Sequence, residues 1–356
     1  MTIRDWGWND HWAQLAEQEG ADQSNAARVV GQERASWAIQ TQSGPNAARI
    51  PSGSIALPSP VVGDWVTAEP GPTKTDPWSI IALYPRRSCI SRGAAGTGGT
   101  EQILASNVDK VWIVHGLDRA FNPSRLERYL AVVWEGGASP EIILTKSDIV
   151  DDLEAWEAQV KPVAMGVPIR SVSSENPESI HNLQGTLETG STVTLLGPSG
   201  VGKSTLVNLL AGADVAATGE VRDGDRKGRH TTTRRELFRI PGGALLLDTP
   251  GLRELRVLAL DEGLERAFPH IDELAQACRF RDCRHEGEPG CAVLEAIENG
   301  GLDPRRLDSF RKLQAEAEHE LRKTDPLARA AALSDWKTSL KTLKYHPKHK
   351  DRQRGN

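Results

Sequence analysis

The chain has 356 residues, with 43 lysines and arginines against 48 aspartates and glutamates and a formal net charge of −5. This length predicts two or three domains, and four cysteines are too few for a disulfide framework. No apolar run approaches the roughly 18 residues of a transmembrane helix, and the N-terminus lacks the apolar core of a secretory signal, so we expect a cytoplasmic protein. The mild acidity excludes a globally basic nucleic-acid binder but allows a local basic patch.

Short β-type segments broken by glycine and proline fill the first quarter of the chain. The strands predicted there cover residues 35–41, 53–57, 63–67 and 78–83. Many short strands with turn signals predict an all-β barrel of OB type, which we place at residues 35–92. Residues 1–34 are polar and contain three tryptophans, and we expect them to form a loosely packed helical extension. The small residues of 93–100 predict a flexible linker.

Strands and helices alternate from about residue 105. The predicted strands are residues 108–117, 141–144, 169–173, 192–196 and 244–247, and the predicted helices are residues 123–136, 151–163 and 203–210. This alternation indicates βαβ units and a mostly parallel sheet, so we expect an α/β domain over residues 101–256. Helical signals dominate after it, which predicts a helical domain over residues 257–345 and a basic tail at 346–356.

A glycine-rich loop joins the predicted strand 192–196 to the helix that follows it. The loop and its first helical residues are Gly197, Pro198, Ser199, Gly200, Val201, Gly202, Lys203, Ser204 and Thr205, which fit the pattern G-x-x-x-x-G-K-[S/T]. Such a loop turns successive backbone N–H groups toward phosphate oxygens at a helix N-terminus. We expect Lys203 to reach the terminal phosphates and the Ser204 hydroxyl to bind Mg²⁺. An ordinary strand–helix turn is the alternative, but it requires neither the lysine nor the hydroxyl.

A motif that begins with an aspartate follows the strand predicted at residues 244–247. It consists of Asp248, Thr249, Pro250 and Gly251. We expect Asp248 to hold Mg²⁺ directly or through water, and the Gly251 N–H to meet the γ-phosphate of a nucleoside triphosphate.

The motif that would read the base ends the predicted strand 141–144. It consists of Thr145, Lys146, Ser147 and Asp148. The Asp148 carboxylate can accept two hydrogen bonds from the ring N–H and amino group of guanine, whereas adenine offers no such pair and would leave the acid unpaired. The stem of Lys146 would cover the base. Taken alone such a turn is usually a helix cap, but with the phosphate loop it predicts a GTP site.

The order of the motifs is reversed relative to common GTP-binding proteins, because Asp148 precedes Gly197 by 49 residues. A circularly permuted sheet would still bring the parts together, since spatial position and not chain order makes a site. On these motifs the chain resembles the circularly permuted GTPases, and within them the family that depends on the small ribosomal subunit. The resemblance covers about residues 35–345 and includes residues 62–66, 86–88 and 105–109.

The resemblance assigns further roles in the base-reading region. Family members usually carry asparagine where this chain has Thr145, and asparagine supplies an amide to the purine where threonine supplies only a hydroxyl. We expect the guanine preference to persist through Asp148, with the tightness of binding left open. Ser173 and Ser174 match the family's second base-contacting loop, whose backbone N–H groups meet the guanine oxygen.

A polar segment between the phosphate loop and Asp248 predicts the switch of the site. One of the three adjacent threonines at residues 231–233 should close over Mg²⁺. We assign this role to Thr232, and the neighbouring threonines are the alternatives. Leu252 stands where many GTPases carry the glutamine that orients the attacking water. The resemblance suggests that His230 takes this role when a partner orders the segment, since a neutral imidazole is available at pH 7. Packing or capping by His230 is the alternative.

Three cysteines and a histidine cluster within a short charged segment. They are Cys278, Cys283, His285 and Cys291. Three thiols and one imidazole match a closed structural zinc site, with zinc–sulfur bonds of about 2.3 Å. The spacing is not the common C-x₂-C, and the family resemblance adds support. Unliganded buried thiols are the alternative, but the charged residues around them suit a core poorly.

The resemblance also implies the partners, which are the small ribosomal subunit and its rRNA, bound through the barrel and the zinc domain. A β-barrel commonly presents a face to nucleic acid, and the basic tail can contact phosphates, although it is equally explained as a solvated tail. We predict a monomeric cytoplasmic GTPase that hydrolyses GTP to GDP and phosphate, is stimulated by the small subunit, acts in its late maturation and has no membrane contact. The alternatives are an RNA-binding scaffold in which GTP only sets conformation, and an ATP-using enzyme.

Overall fold

The computed structural model describes residues 2–33, 35–51, 57–73, 75–93, 101–213, 215, 235–248, 260 and 262–324. The strands in this part of the chain are β1 (Ala26–Glu33), β2 (Ser36–Thr41), β3 (Gly44–Arg49), β4 (Trp65–Glu69), β5 (Trp78–Leu83), β6 (Cys89–Gly93), β7 (Glu101–Ser106), β8 (Lys110–Gly116), β9 (Ser139–Thr145), β10 (Ile169–Val172), β11 (Thr192–Leu196), β12 (Glu236–Arg239) and β13 (Leu245–Asp248). The α-helices are α1 (Asp10–Gln18), α2 (Pro123–Glu135), α3 (Leu153–Ala164), α4 (Pro177–Gln184), α5 (Lys203–Ala211), α6 (Glu262–Ala267), α7 (Pro269–Gln276), α8 (Ala292–Glu298) and α9 (Pro304–Thr324). Within these ranges, none of the helices has the length and apolar character needed to span a bilayer.

A closed barrel of strands forms the N-terminal part, as predicted. Strands β1, β2, β3, β5 and β4 pair in that order, and β4 pairs back with β1. Its first strand, β1, lies entirely within residues 1–34, which the sequence pattern assigned to the extension. The sequence of β3, Gly-Pro-Asn-Ala-Ala-Arg, has low strand propensity and gave no signal. Pairing with β2 and β5 outweighs that local preference.

The residues before β1 pack tightly on the barrel. Helix α1 begins after Asn9, whose side chain accepts a hydrogen bond from Trp12 N at 3.4 Å. Trp8 and Trp12 are almost fully buried against Trp65 of β4, and the ring centroids of Trp8 and Trp65 are 4.9 Å apart. The expectation of a loosely packed extension is therefore wrong. Burial of each large side chain contributes on the order of 2 kcal/mol or more, which anchors the segment.

The glycine-rich stretch predicted as a linker falls largely on residues 94–100, outside the described part of the chain. The strands on its two sides, β6 and β7, pair antiparallel, with Cys89 opposite Ser106. The stretch therefore joins two paired strands rather than two separate domains.

The sheet continues from the barrel into an α/β layer. Its order there is β10-β9-β8-β11-β13-β12, and β12 pairs with β1 of the barrel. Strands β10, β9, β8, β11 and β13 run parallel. Alternate residues of β8 face opposite sides of the sheet. Val111 and Ile113 pack in the core beneath α2 and α3. Trp112 and Val114 pack in the core beneath α4 and α5. The carboxyl ends of the parallel strands thus meet at one edge, with a topological switch between β8 and β11.

Three short segments that carried the family resemblance meet where the barrel joins this layer. Arg86 forms a bidentate ion pair with Asp64, with Nε–Oδ1 and Nη2–Oδ2 distances of 2.7 and 2.8 Å. The Asp64 side chain is fully buried. Asn107 donates to Gly63 O at 3.0 Å and accepts from Arg87 N at 2.9 Å. These contacts hold the barrel to the α/β layer at this junction.

Replacing Arg86 by alanine should leave the Asp64 carboxylate buried without its cation, which costs roughly 3–5 kcal/mol. We expect a clear fall in the urea midpoint of unfolding. The matched control is Arg87→Ala, which should cost less than about 1 kcal/mol because Arg87 is 47% exposed and lies 3.6 Å from Asp109. Equal losses in the two variants would contradict a special role of the buried pair.

The C-terminal helices dock on α2 through ion pairs. Arg305 of α9 donates to both carboxylate oxygens of Glu127, at 3.0 and 3.1 Å, and Glu127 is fully buried. The next residue of α2, Arg128, forms a second bidentate pair with Glu316, further along α9, at 2.8 and 2.7 Å. Together these bonds hold α9 against the α/β layer.

Candidate nucleotide site and metal centre

The phosphate loop joins β11 to α5 at the carboxyl edge of the sheet. Gly197, Gly200 and Gly202 adopt positive φ angles of 151°, 78° and 92°. A Cβ on Gly197 would lie 2.5 Å from the carbonyl oxygen of Val114, so only glycine fits between the loop and β8. Helix α5 begins directly afterwards at Lys203. The loop therefore has the wrapped backbone and the helix N-terminus that suit a phosphate group.

Side chains hold five consecutive carbonyl groups of this loop. In chain order, Lys203 Nζ donates to Gly197 O (2.7 Å) and Pro198 O (2.5 Å), Arg119 Nη1 to Ser199 O (3.0 Å), Lys146 Nζ to Gly200 O (3.1 Å) and Thr145 Oγ1 to Val201 O (2.6 Å). Because the C=O and N–H of one planar peptide unit point in opposite directions, fixing carbonyls 199–201 also fixes the N–H groups of residues 200–202. The loop is thus pre-organised before any ligand binds.

Thr145 links the base-reading motif to the phosphate loop. It lies at the end of β9 and is buried. Its hydroxyl is 2.6 Å from Val201 O and 3.3 Å from His115 O, and its single hydrogen serves the shorter contact. The threonine that stands in place of asparagine therefore supports the loop that would hold the phosphates.

The rest of the motif forms a tight turn beside the loop after β10. Lys146 has a left-handed φ of 61°, and a short 3-10 helix follows over Ser147–Ile149. Asp148 is exposed at the sheet edge, where it accepts a short hydrogen bond from Ser173 Oγ. The N–H of Ser173 donates to Ser179 Oγ at 3.1 Å, which favours the exposed Ser174 as the N–H donor to a base. The two loops assigned to the base thus lie together.

Two residues after β8 belong to this edge and were missed from the sequence. Asp118 Oδ2 accepts from Lys146 Nζ at 2.6 Å, and this hydrogen bond lowers the pKa of Asp118. Arg119 reaches Ser199 O, as described above. Their only sequence signal is position, because they follow the strand that lies next to the phosphate strand at the topological switch, where ligands of parallel sheets bind.

The candidate magnesium ligands occupy the same edge. Asp248 ends β13, the parallel neighbour of β11, and Ser204 lies in the first turn of α5. A carboxylate and a hydroxyl are hard oxygen donors of the kind Mg²⁺ prefers, so these residues fit the ion. The assignments of Gly251, His230 and Thr232 fall on residues outside the described ranges and stay predictions.

The four candidate ligands of the second metal converge. The ligand atoms of Cys278, Cys283, His285 and Cys291 all lie within 4.8 Å of one another. Cys278 Sγ is 3.9 Å from Cys291 Sγ, and His285 Nδ1 is 3.3 Å from Cys291 Sγ. A tetrahedral ion with bonds of about 2.0–2.3 Å needs ligand separations of roughly 3.3–3.8 Å. The donor set therefore fits one metal ion.

The electrostatics of this cluster favour a cation. Burial lowers the pKa of His285, which keeps its imidazole neutral and able to ligate. Burial, together with the neighbouring Cys291 and Cys278 sulfurs, raises the pKa of Cys283 to about 11. Burial also raises the pKa of Cys278, but backbone N–H groups at the start of α8 outweigh it and leave that pKa lowered. A divalent ion would relieve the repulsion between such closely spaced thiolates.

Comparison with known proteins identifies the family. The sequence model of the RsgA GTPase family matches residues 83–258. A relative from Opitutus terrae named "Small ribosomal subunit biogenesis GTPase RsgA" is 40% identical over 95% of both chains. The chain belongs to the RsgA GTPase family. A relative of the same name from Streptomyces coelicolor is 41% identical over 94% of this chain and 92% of its own.

Two solved structures share the fold at lower identity. YjeQ from Thermotoga maritima has a TM-score of 0.59 and 23% identity, covering 82% of this chain and 98% of its own. YloQ, described as a circularly permuted GTPase, has a TM-score of 0.60 and 22% identity, covering 83% of this chain and 95% of its own. The RsgA family assignment confirms both the resemblance drawn from the motifs and the GTPase class, and these structures confirm the permuted order of the sheet.

Proposed function

We propose that this RsgA family member hydrolyses GTP to GDP and phosphate, that the small ribosomal subunit stimulates this turnover, and that the protein acts in the late maturation of that subunit in the cytoplasm. One observation carries the proposal: Thr145 and Lys146, encoded upstream, hold the phosphate loop encoded downstream. This sheet edge places the proposed base-reading motif against the phosphate loop, as binding of guanosine triphosphate requires. The names of these relatives, small ribosomal subunit biogenesis GTPases, support the choice of the small subunit.

The residue roles that we propose are those assigned from the sequence motifs and the family resemblance. Base recognition is assigned to Thr145, Lys146, Ser147, Asp148, Ser173 and Ser174, phosphate binding to residues 197–205 and the Gly251 N–H, and Mg²⁺ binding to Ser204, Thr232 and Asp248. Cys278, Cys283, His285 and Cys291 would hold one zinc ion, whose four protein ligands leave no open position and make it structural. His230 would orient the attacking water.

The domain layout is assigned on the same basis. We assign residues 35–92, together with β1, to an OB-type barrel, residues 101–256 to the permuted GTPase domain, and residues 257–345 to a helical zinc domain followed by the basic tail. The barrel and zinc domain would contact rRNA, and the protein would act as a monomer.

Hydrolysis transfers the γ-phosphoryl group to water, breaking its bond to the oxygen that bridges to the β-phosphate. The N–H groups of the phosphate loop and Lys203 Nζ bind the phosphate oxygens, and Lys203 leaves the carbonyls of Gly197 and Pro198 to do so. Mg²⁺, when bound, neutralises charge on the β- and γ-phosphates. The chain supplies position and charge rather than a covalent nucleophile.

Turnover of GTP titrated with purified small subunits tests the function. We expect slow turnover alone and a saturable increase with small subunits, with large subunits as the control. Turnover that is indifferent to small subunits would favour the scaffold, and competition of labelled GTP by ATP at equal concentration would favour an ATP-using enzyme.

His230→Ala should keep the affinity for GTP and lose the increase in turnover with small subunits. A general base or water-orienting group contributes about 10²–10⁴-fold, so the stimulated rate should fall toward the basal rate. The measurement is the rate at saturating small subunit together with the dissociation constant of a fluorescent GTP analogue. Full stimulation in the variant would remove His230 from the mechanism.

A further inference from the structure

The loop after β8 places a guanidinium against the phosphate loop. Arg119 Nη1 donates to Ser199 O at 3.0 Å, and its Nη2 would lie 3.1 Å from a Cβ built on Gly200. The guanidinium thus lies against Ser199 and Gly200 of the phosphate loop. Arg119 is 37% exposed, so it forms part of the wall of the site rather than of the core.

The charges around this guanidinium leave a positive surplus. Asp118 Oδ2 is 2.6 Å from Lys146 Nζ, and Asp118 Oδ1 is 3.6 Å from Arg119 Nε. One carboxylate therefore faces two cations, and these three residues together carry a net charge of +1. Lys146 is already committed to Gly200 O and Asp118, so the surplus belongs largely to Arg119.

GTP hydrolysis requires positive charge beside the phosphate loop. As the γ-phosphoryl group is transferred, negative charge shifts onto the leaving oxygen and the equatorial oxygens, and GTPases meet it with an arginine supplied in cis or in trans. A wrapped loop lowers the barrier only if its N–H groups already point at the positions of the transition state. A bond to the Ser199 carbonyl fixes the N–H of Gly200, which belongs to the same peptide unit.

We propose that Arg119 is a positioning residue for GTP hydrolysis, which acts by holding the Ser199 carbonyl and keeping a positive charge beside the phosphate loop. The inference rests on the proposed hydrolysis of GTP at this edge. Arg119 acts through the loop rather than by touching the substrate, so its loss weakens binding of the transition state more than binding of GTP or GDP.

The test compares Arg119→Ala, Arg119→Gln and Arg119→Lys, each checked for an unchanged melting temperature and far-ultraviolet spectrum. For Arg119→Ala we expect kcat to fall about tenfold, less than the 10²–10³-fold effect of a donor that touches the reacting oxygen. The KM for GTP and the dissociation constant for GDP should stay within about twofold. The affinity for GDP with aluminium fluoride should fall about as much as kcat, since that complex mimics the transition state.

The other variants separate the hydrogen bond from the charge. Arg119→Lys keeps the charge and a donor and should recover most of kcat, whereas Arg119→Gln keeps only a donor and should recover little. Arg125→Ala, which removes an exposed arginine at the start of α2, is the matched control and should leave kcat unchanged. Equal losses of GDP affinity and of GDP–aluminium fluoride affinity in Arg119→Ala would overturn the proposal, as would an unchanged kcat.

A separate arm tests the function on which the proposal rests. Lys203→Ala should abolish GTP turnover. Turnover that survives this change would show that hydrolysis occurs elsewhere, which refutes the proposed site itself, whereas loss in Lys203→Ala with normal turnover in Arg119→Ala refutes only the role of Arg119.

Discussion

Asp148→Asn is expected to abolish tight GTP binding and to create a preference for xanthosine triphosphate. Guanine presents two donors to this position, its ring N–H and its amino group, and the carboxylate accepts both. Xanthine carries a carbonyl in place of the amino group, which an asparagine amide can meet as a donor while its oxygen still accepts from the ring N–H. A site built to pair with a group rejects an analogue without it by roughly 10⁴-fold or more, so the loss for GTP should be of that order.

Competition of labelled GTP by unlabelled GTP, ATP and xanthosine triphosphate measures this change. The asparagine oxygen can still accept from Ser173 Oγ, so the turn after β9 should keep its shape. Ile149→Ala alters the same turn, at an exposed side chain with no assigned role, and serves as the control, with an expected change in GTP affinity of less than about threefold. Unchanged GTP affinity in Asp148→Asn would show that this carboxylate does not read the base.

Removing the metal from the Cys₃His cluster is expected to unfold the zinc domain. Zinc binding to such sites is worth about 10–16 kcal/mol at pH 7, which exceeds the stability of a short helical segment on its own. Cys291 is 5% exposed and is the N-cap residue of α8, so Cys291→Ser removes a metal ligand while placing at the helix start a residue that suits it. We expect the bound zinc to fall from about one ion per chain to none, and helix content to drop.

The measurements are elemental analysis of the purified protein and circular dichroism with and without a chelator. Cys89→Ser changes a cysteine in β6, outside the cluster, and should keep about one zinc per chain. Limited proteolysis should cut the Cys291→Ser variant after residue 262 while the α/β layer stays protected by its own core. A full complement of zinc in Cys291→Ser would contradict the assigned ligand set.

Local chemistry made part of the site predictable. The phosphate loop has its own signature of glycines, lysine and hydroxyl, and strand β11 occupies the predicted residues Thr192–Leu196. The convergence of Cys278, Cys283, His285 and Cys291 was also predictable, because the ligands are close in the sequence. In both cases the interacting residues lie close together in the sequence.

Contacts between distant segments were not predictable in the same way. Arg119 lies 80 positions before Ser199, and nothing in its own neighbourhood indicates that contact. The burial of Trp8 depends on Trp65, and β3 exists because two other strands pair with it. A sequence pattern reports the preference of a segment, whereas these features depend on what the fold places next to it.

The pairing of Gly31 in β1 with Glu236 in β12 joins the barrel to the nucleotide-binding layer by backbone hydrogen bonds. Strand β12 is the element that follows residues 216–234, which contain His230 and Thr232 in the sequence. If RNA binds the barrel as proposed, a force on the barrel would reach the main chain that follows the proposed switch segment through the backbone hydrogen bonds of the sheet. The proposed RNA contact of the barrel and the proposed switch are therefore linked through one β-sheet.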